Sequence, residues 1–219
     1  MSTSPDATRR QARLAELLQL SPIIPVLTID RVEDAVPLAR SLVAGGLRLL
    51  EITLRTPVAA AAAQAIIANV PEAIVGVGTV LTGQDLARAS EIGAQYALSP
   101  GATPALLAAA AAQDLPFIPG IATSSELMAA MAHGFDIVKF FPAVSSGGIA
   151  TLAALSGPFR HVKFCPTGGI GEANMREWLA QPNVVAVGGS WLVPAADLKA
   201  GAWEAITERV RRSLSILAA

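Results

Sequence analysis

The chain has 219 residues, of which 53% are hydrophobic and 15% are charged, so it can bury a large core and is not globally disordered. A formal net charge of -1 argues against nucleic acid as a partner. The single cysteine, Cys165, excludes an internal disulfide and is typical of a reducing cytoplasm. Because we find neither a membrane-spanning apolar run nor a signal peptide, we expect a soluble, cytoplasmic protein with no membrane partner.

Strand-like and helix-like segments alternate along the whole chain. An N-terminal helix is predicted within residues 1–20, and a C-terminal helix over residues 197–217. The eight predicted strands are short and rich in β-branched residues, without strict polar alternation, which is typical of strands buried on both faces. They are Ile23–Ile29, Leu47–Leu54, Ile74–Val80, Tyr96–Ser99, Phe117–Pro119, Ile137–Phe141, Val162–Cys165 and Val184–Val187.

Helix start signals lie between the strands. Asp30 with Glu33, and Thr82 with Asp85, have the three-residue spacing of a capping box. Eight strand–helix units in a chain of this length predict an α/β fold, a single (β/α)8 TIM barrel with an extra N-terminal helix. We predict one domain over residues 1–219, with the barrel strands and helices at residues 23–191. An open doubly wound sheet is disfavoured, because no glycine-rich turn follows the first strand.

Lys139 interrupts an otherwise apolar strand, in the run Ile137-Val138-Lys139-Phe140-Phe141. Burial disfavours a charged ammonium, and the usual relief is a lowered pKa. A neutral amine attacks carbonyl carbon, so this position suits a Schiff-base enzyme. The alternative is a strand-end lysine with a buried stem whose head reaches solvent.

Glu51 and Arg55 are four residues apart at the end of the second predicted strand. With Thr53 they alternate with Ile52 and Leu54, so the three polar residues are expected on the same side, inside the barrel. A carboxylate there can act as acid and base, and the arginine fork can bind a substrate carboxylate. A structural ion pair between Glu51 and Arg55 is the alternative.

Two glycine pairs lie near the C-terminus, Gly168-Gly169 after the seventh predicted strand and Gly188-Gly189 after the eighth. Barrels often bind phosphate with the loops after these two strands, where glycine lets the backbone approach the anion. Turns with positive φ also need glycine, so either pair alone is a weak signal. The two pairs together predict a phosphate site.

The sequence contains no clear set of metal ligands. His133 and His161 are the only histidines, and we find no Cys/His pair at the spacing of zinc ligands, so a zinc site is not expected. No carboxylate cluster indicates a magnesium site either. We therefore predict no metal and no cofactor.

Seven motifs together resemble the class I 2-keto-3-deoxy-6-phosphogluconate (KDPG) aldolases, a family that also acts on 4-hydroxy-2-oxoglutarate (KHG). The resemblance runs in order from about Pro25 to Trp191. The motifs are Glu51-Ile52-Thr53-Leu54-Arg55-Thr56, Gly76-Val77-Gly78-Thr79-Val80, Ser99-Pro100-Gly101, Pro119-Gly120, Val138-Lys139-Phe140-Phe141-Pro142-Ala143, Pro166-Thr167-Gly168-Gly169 and Gly188-Gly189-Ser190-Trp191.

The resemblance implies cleavage of KDPG to pyruvate and glyceraldehyde 3-phosphate, and of KHG to pyruvate and glyoxylate, by a (β/α)8 homotrimer without cofactor. It makes Lys139 the Schiff-base lysine and Glu51 the acid/base. The remaining residues would bind substrate: Arg55 and Thr79 the carboxylate, Phe141 the imine region, Thr167 the hydroxylated carbons, Gly168, Gly169, Gly189 and Ser190 the phosphate, with Pro100 as a further contact. In galactonate-specific relatives the position of Thr167 tends to be apolar, so Thr167 favours the gluconate epimer.

Three alternatives stay open from the sequence. The first is a 2-keto-3-deoxy-6-phosphogalactonate aldolase. The second is a phosphate-binding barrel isomerase or synthase, in which Lys139 only pairs with an anion. The third is a phospho-sugar-binding scaffold without turnover.

Overall fold

The structure is a computed structural model that describes residues 5–218. It contains nine short strands: β1 Ile23–Leu27, β2 Leu49–Thr53, β3 Ile74–Gly78, β4 Tyr96–Leu98, β5 Phe117–Ile118, β6 Gly120–Ile121, β7 Ile137–Phe140, β8 Lys163–Phe164 and β9 Val187–Gly189. All their pairings are parallel. Parallel neighbours need crossover connections, which the helices between the strands supply.

Helices precede, separate and follow the strands in the described chain. They are α1 Pro5–Gln19, α2 Val32–Gly45, α3 Ala59–Asn69, α4 Gly83–Ile92, α5 Pro104–Ala111, α6 Ser124–Ala132, α7 Gly148–Ser156, α8 Met175–Leu179, α9 Ala195–Ala200 and α10 Trp203–Ala218. The predicted N-terminal helix is present from Pro5, and residues 1–4 lie outside the described part. No helix between residues 5 and 218 is long and apolar enough to cross a membrane.

The strands form two parallel ladders, one in the order β5-β4-β3-β2-β1-β9 and one in the order β6-β7-β8. Pro119 alone separates β5 from β6, because proline has no N–H to donate to a ladder. The sequence predicts a strand over Phe117–Pro119 here, and β6 was not predicted. Isolated parallel bridges from Phe164 to Val184 and from Thr167 to Gly188 connect the chain around β8 to the chain around β9.

Two apolar clusters pack against the strands. The larger fills the layer between the sheet and the helices. In the smaller, side chains from β1, β2, β3, β4, β5 and β7 contact one another, so the parallel sheet is curled around them. Leu14 and Leu18 of α1 belong to this inner cluster, and Gln11 accepts the N–H groups of Asp136 and Ile137 at the start of β7. Helix α1 therefore covers the amino-terminal end of the strands.

The last predicted strand and the C-terminal helix are corrected by the structure. We predicted Val184–Val187, whereas β9 begins at Val187 and includes Gly188 and Gly189, which pair with β1. Backbone pairing needs no side chain, so glycine does not have to follow the strand. The helix predicted over residues 197–217 is two helices, because Gly201, with φ +64°, ends α9.

The two predicted capping boxes have different outcomes. At the start of α4, Thr82 Oγ1 accepts the N–H of Asp85 at 3.1 Å, and Asp85 Oδ2 accepts the N–H of Thr82 at 3.0 Å. This prediction is confirmed. The capping box at Asp30 and Glu33 is wrong, because Arg31 is the N-cap residue of α2 and makes no side-chain cap bond.

Candidate active site

Lys139 and Glu51 form a buried ion pair inside the curled sheet. Lys139 Nζ donates to Glu51 Oε1 at 2.9 Å, with side-chain exposures of 6% for Lys139 and 2% for Glu51. The alternative in which the lysine head reaches solvent is therefore wrong. Each charge compensates the other, which is the condition for keeping either group away from water. Nζ also lies 5.5 Å from the centre of the Phe141 ring.

Gly78 makes room for Glu51 on the neighbouring strand. A Cβ atom added at Gly78 would lie 2.1 Å from Glu51 Oε1 and 2.8 Å from its carboxyl carbon. The carboxylate therefore lies directly over the backbone of β3 and points towards Lys139 on β7. Any larger residue at position 78 would displace it.

Gly120 has a similar role beside Lys139, its partner in the β6–β7 ladder. A Cβ atom at Gly120 would lie 2.3 Å from the carbonyl carbon of Pro100. The Gly120 N–H donates to Ser99 Oγ at 3.1 Å. The predicted site residue Pro100 is thus held against the strand next to the lysine.

The period-2 pattern predicts Arg55 in the interior beside Glu51, and this prediction is wrong. Strand β2 ends at Thr53, and Arg55 follows in a turn, where it is exposed. The proposed structural ion pair between Glu51 and Arg55 is not formed, since Glu51 Oε1 accepts from Lys139. Arg55 Nε instead donates to Thr79 Oγ1 at 3.3 Å.

Thr79 has φ +60°, in the left-handed region that a β-branched residue rarely adopts. This conformation directly follows the end of β3 and turns the chain beside Arg55. Strain of this kind is found mostly at functional sites. The structure therefore brings together the two residues that were predicted to bind a substrate carboxylate.

The glycine loop after β8 packs against the end of β9 and against the loop after β7. Gly168 and Gly169 have φ +103° and +78°, and a Cβ at Gly169 would lie 2.7 Å from the Val144 side chain. A Cβ at Gly189 would lie 2.1 Å from the Trp191 ring. Glycine is thus needed here for backbone conformation and for the protein's own packing, whatever the loops bind.

Thr167 lies at the junction of these loops and is buried. Its carbonyl accepts the N–H of Ala143 at 2.8 Å, and the carbonyl of Gly168 accepts the N–H of Val144 at 3.1 Å. A Cβ at Gly188 would lie 2.3 Å from Thr167 Oγ1. Thr167, Gly168 and Gly169 therefore have fixed positions relative to the end of β7, which carries Lys139.

A cavity of about 660 Å³ adjoins this end of the sheet. Arg55 and Ser190 contribute to its wall, together with residues that follow β1 and the segment that leads into α9. Lys139 and Glu51 do not line it. The cavity thus borders two predicted substrate-binding residues and lies to the side of the Lys139–Glu51 ion pair.

Tyr96 and Cys165 are interior residues that the sequence analysis did not assign to the site. Burial, with Glu51 and Cys165 nearby, raises the pKa of the Tyr96 hydroxyl well above its usual value. Burial raises the pKa of the Cys165 thiol to about 12; Glu51 also raises it and Lys139 lowers it. Cys165 therefore stays a thiol at neutral pH, and the thiolate required of a nucleophile does not form. Tyr96 is the only tyrosine of the chain and lies in an apolar predicted strand, and this was the one sequence signal that could have pointed to it.

The arrangement can perform proton transfer beside a nucleophilic amine. Transfer of one proton from Nζ to Oε1 across the 2.9 Å contact converts the ion pair into a neutral amine and a carboxylic acid. The amine can then add to a carbonyl carbon, and the acid can return the proton to the oxygen. The geometry therefore suits imine chemistry.

Comparison with known proteins gives one consistent family. A sequence model described as KDPG and KHG aldolase matches residues 14–209. The chain is 52% identical over 198 residues to the KHG/KDPG aldolase of Escherichia coli strain K12, covering 90% of this chain and 93% of the relative. It is 50% identical over 200 residues to the 2-dehydro-3-deoxy-phosphogluconate aldolase of Dickeya dadantii, covering 91% and 94%.

A solved structure with a similar fold is the KDPG aldolase of Legionella pneumophila, with a TM-score of 0.89 and 47% identity. It covers 91% of this chain and 97% of the other. That crystal structure holds pyruvate captured at low pH as a covalent carbinolamine intermediate. A carbinolamine is the adduct of an amine and a carbonyl group, the class of reaction that the buried lysine suits.

Proposed function

This chain belongs to the KDPG and KHG aldolase family, and we propose that it cleaves KDPG to pyruvate and glyceraldehyde 3-phosphate through an imine on Lys139. The same site would cleave KHG to pyruvate and glyoxylate. The observation that carries this proposal is the 2.9 Å contact between Lys139 Nζ and Glu51 Oε1 inside the sheet. It supplies a nucleophile and its proton acceptor in one place.

The first half of the reaction builds an electron sink. Glu51 takes a proton from Nζ, and the amine adds to the C2 carbonyl of the keto acid to give a carbinolamine. Glu51 then protonates the C2 hydroxyl, which leaves as water, and the nitrogen lone pair forms the C=N bond of a protonated imine. The positive nitrogen can now accept the electron pair of a neighbouring bond.

The second half breaks the C3–C4 bond and regenerates the lysine. Glu51 removes the proton of the C4 hydroxyl, the C4–O bond becomes a carbonyl, and the C3–C4 electron pair moves into an enamine. The aldehyde leaves, and Glu51 protonates C3 of the enamine. Water then adds to the imine carbon, and Lys139 departs as the amine, releasing pyruvate.

We assign the substrate carboxylate to Arg55 and Thr79, whose side chains are in contact at 3.3 Å. A guanidinium presents a planar fork of donors that matches a carboxylate. Phe141, 5.5 Å from Nζ, would pack against the imine, and Pro100 would border it. Thr167 would bind the hydroxylated carbons of the substrate.

The phosphate is assigned to Gly168, Gly169, Gly189 and Ser190. Support comes from the position of Ser190, which is exposed and lines the 660 Å³ cavity. Phosphate bound there is remote from the reacting carbons, so its binding energy can orient the substrate without entering the chemistry.

We also propose that the two ladders form one closed (β/α)8 barrel, a single domain over residues 1–219, and that three copies assemble as a homotrimer. Closure is supported by the two isolated bridges between the chain around β8 and around β9, and by the single residue between β5 and β6. The trimer rests on the family resemblance, and sedimentation measurements test it. The cytoplasmic location stays a prediction from the sequence.

Cleavage of three substrates tests the proposed function. The expected order of kcat/KM is KDPG above its galactonate epimer, because Thr167 can hydrogen-bond a hydroxyl that an apolar residue would leave unpaired. KHG should also release pyruvate. Pyruvate release is followed with a coupled assay. Preference for the galactonate epimer would overturn the assignment of Thr167, and no release from any substrate would favour a scaffold.

The variant Gly78→Ala should lose activity although no catalytic residue is replaced. The new methyl group would occupy the position of the Glu51 carboxylate, 2.1 Å from Oε1. We expect kcat to fall on the order of 100-fold, since a displacement of about 1 Å can have that effect. Overpacking should cost roughly 1–3 kcal/mol of unfolding free energy.

Gly171→Ala is the matched control for this variant, because a Cβ there meets nothing within 4 Å. Its kcat should equal that of the wild type. Chemical denaturation of both variants separates lost stability from lost activity. If Gly78→Ala keeps wild-type kcat, the carboxylate does not need its position over β3.

A further inference from the structure

Two buried polar atoms have no hydrogen-bond partner within residues 5–218, Glu51 Oε2 and the Tyr96 hydroxyl. Buried polar groups without a partner are costly and uncommon, so each needs an explanation. The mechanism accounts for Oε1, which accepts from Lys139. It does not explain Tyr96, which is 0% exposed.

The strand register aligns the two side chains. Glu51 on β2 pairs with Gly76 on β3, and Gly76 pairs with Tyr96 on β4, so the three residues lie at one level. A Cβ at Gly76 would lie 2.3 Å from Tyr96 Cζ, the carbon that bears the hydroxyl. The Tyr96 ring therefore occupies the space that a side chain at position 76 would fill, and it extends towards β2.

The carboxylate of Glu51 lies over the next glycine on the same face of β3. Gly76 and Gly78 are two residues apart, which is about 6.6 Å along a strand. Tyr96 Cζ is over the first, and the Glu51 carboxylate is over the second. Two O–H···O bonds through one water span about 5.5 Å, which is on the scale of this spacing.

Cys165 belongs to the same inner cluster as Tyr96. It lies near enough to Glu51 and Lys139 for their charges to influence the pKa of its thiol. A water among Tyr96, Glu51 and Cys165 would have a hydroxyl, a carboxylate oxygen and a thiol as partners, enough for a stable buried water.

We propose that Tyr96 is a positioning residue for the cleavage reaction, acting through a buried water that accepts from its hydroxyl and donates to Glu51 Oε2. The proposal rests on the proposed function, in which Glu51 carries protons. The water would hold the carboxylate in the orientation where Oε1 faces Lys139. It would also leave Oε2 with a donor that stabilises the ionised form.

The variant Tyr96→Phe removes only the hydroxyl. We expect kcat to fall about tenfold, in line with a hydrogen bond to a charged group, with KM unchanged because Tyr96 does not touch substrate. The acid limb of the kcat–pH profile should move to higher pH, since the carboxylate loses a donor. The groups facing it are Lys139 from β7, Tyr96 from β4 and Cys165 after β8.

Thr207→Val is the matched control. It removes a buried hydroxyl, bonded to the Ser41 carbonyl in the layer between α10 and α2, and preserves side-chain shape. Its pH profile should be that of the wild type. If Tyr96 had a purely structural role, Tyr96→Phe would lower the folded fraction and leave the kcat–pH profile unchanged. An unchanged profile in Tyr96→Phe would overturn the proposal.

Raman spectroscopy tests the hydrogen bond without turnover. Because the chain has one tyrosine, its Fermi doublet reports Tyr96 alone. The doublet of the wild type should be that of a hydroxyl donor, and Glu51→Gln should change its intensity ratio. A doublet insensitive to Glu51→Gln overturns the inference whatever the activity. Wild-type protein that cleaves no substrate overturns the proposed function, which keeps the two failures distinct.

Discussion

Replacing Lys139 with alanine is expected to abolish cleavage, with a loss of kcat on the order of 10⁴ or more, because no other group can form the imine. Borohydride added with pyruvate should reduce that imine in the wild type. Mass spectrometry of the digested protein should then find one adduct, on Lys139. The other lysines, Lys163 and Lys199, should remain unmodified.

Folding has to be controlled in this experiment. Removing Lys139 leaves the Glu51 carboxylate buried without its partner, which can cost roughly 3–5 kcal/mol of unfolding free energy. The double variant Lys139→Met with Glu51→Gln replaces both charges with neutral groups of similar size. It should fold and remain inactive. A wild type that gains no adduct would instead favour a phosphate-binding isomerase, a synthase or a scaffold.

Replacing Glu51 with glutamine is expected to lower kcat by about 10²- to 10⁴-fold, the usual contribution of a positioned acid/base. The amide preserves the shape of the side chain over Gly78 but accepts no proton from Nζ. The KM for substrate should change little, because Glu51 acts on protons and not on the carboxylate or phosphate.

Exchange of the pyruvate methyl protons in D2O isolates this step. The exchange needs the enamine and its reprotonation, and it proceeds without any aldehyde. Proton NMR should show rapid loss of the methyl signal with the wild type and little loss with Glu51→Gln. Rapid exchange by the variant would show that another group protonates C3.

The family predicted from the motifs is confirmed by the comparisons, and much of the architecture follows from local patterns. The alternation of short β-branched segments with Ala- and Leu-rich segments predicted the parallel α/β fold, and the spacing of Thr82 and Asp85 predicted a helix start. Local steric preferences decide such features, so they are readable without knowledge of distant contacts.

Two of the wrong sequence predictions have one physical cause, which is that the end of a strand was misplaced. Period 2 placed Arg55 beside Glu51, but it holds only while the strand continues, and β2 ends at Thr53. Glycines 188 and 189 were assigned to a loop because glycine is common in turns, whereas here they pair with β1. Where a strand ends depends on its neighbours, which one segment does not reveal.

By itself the sequence determined most of the elements and the family, and it predicted Lys139 as the reactive lysine, because chemistry and local conformation depend on residue type and spacing. The tertiary structure alone decided that Glu51 is the partner of Lys139, 88 positions away in the chain. It alone decided that Gly76 and Gly78 admit Tyr96 and Glu51 to the interior. Pairing between distant strands depends on register, and register is a property of the packed sheet as a whole.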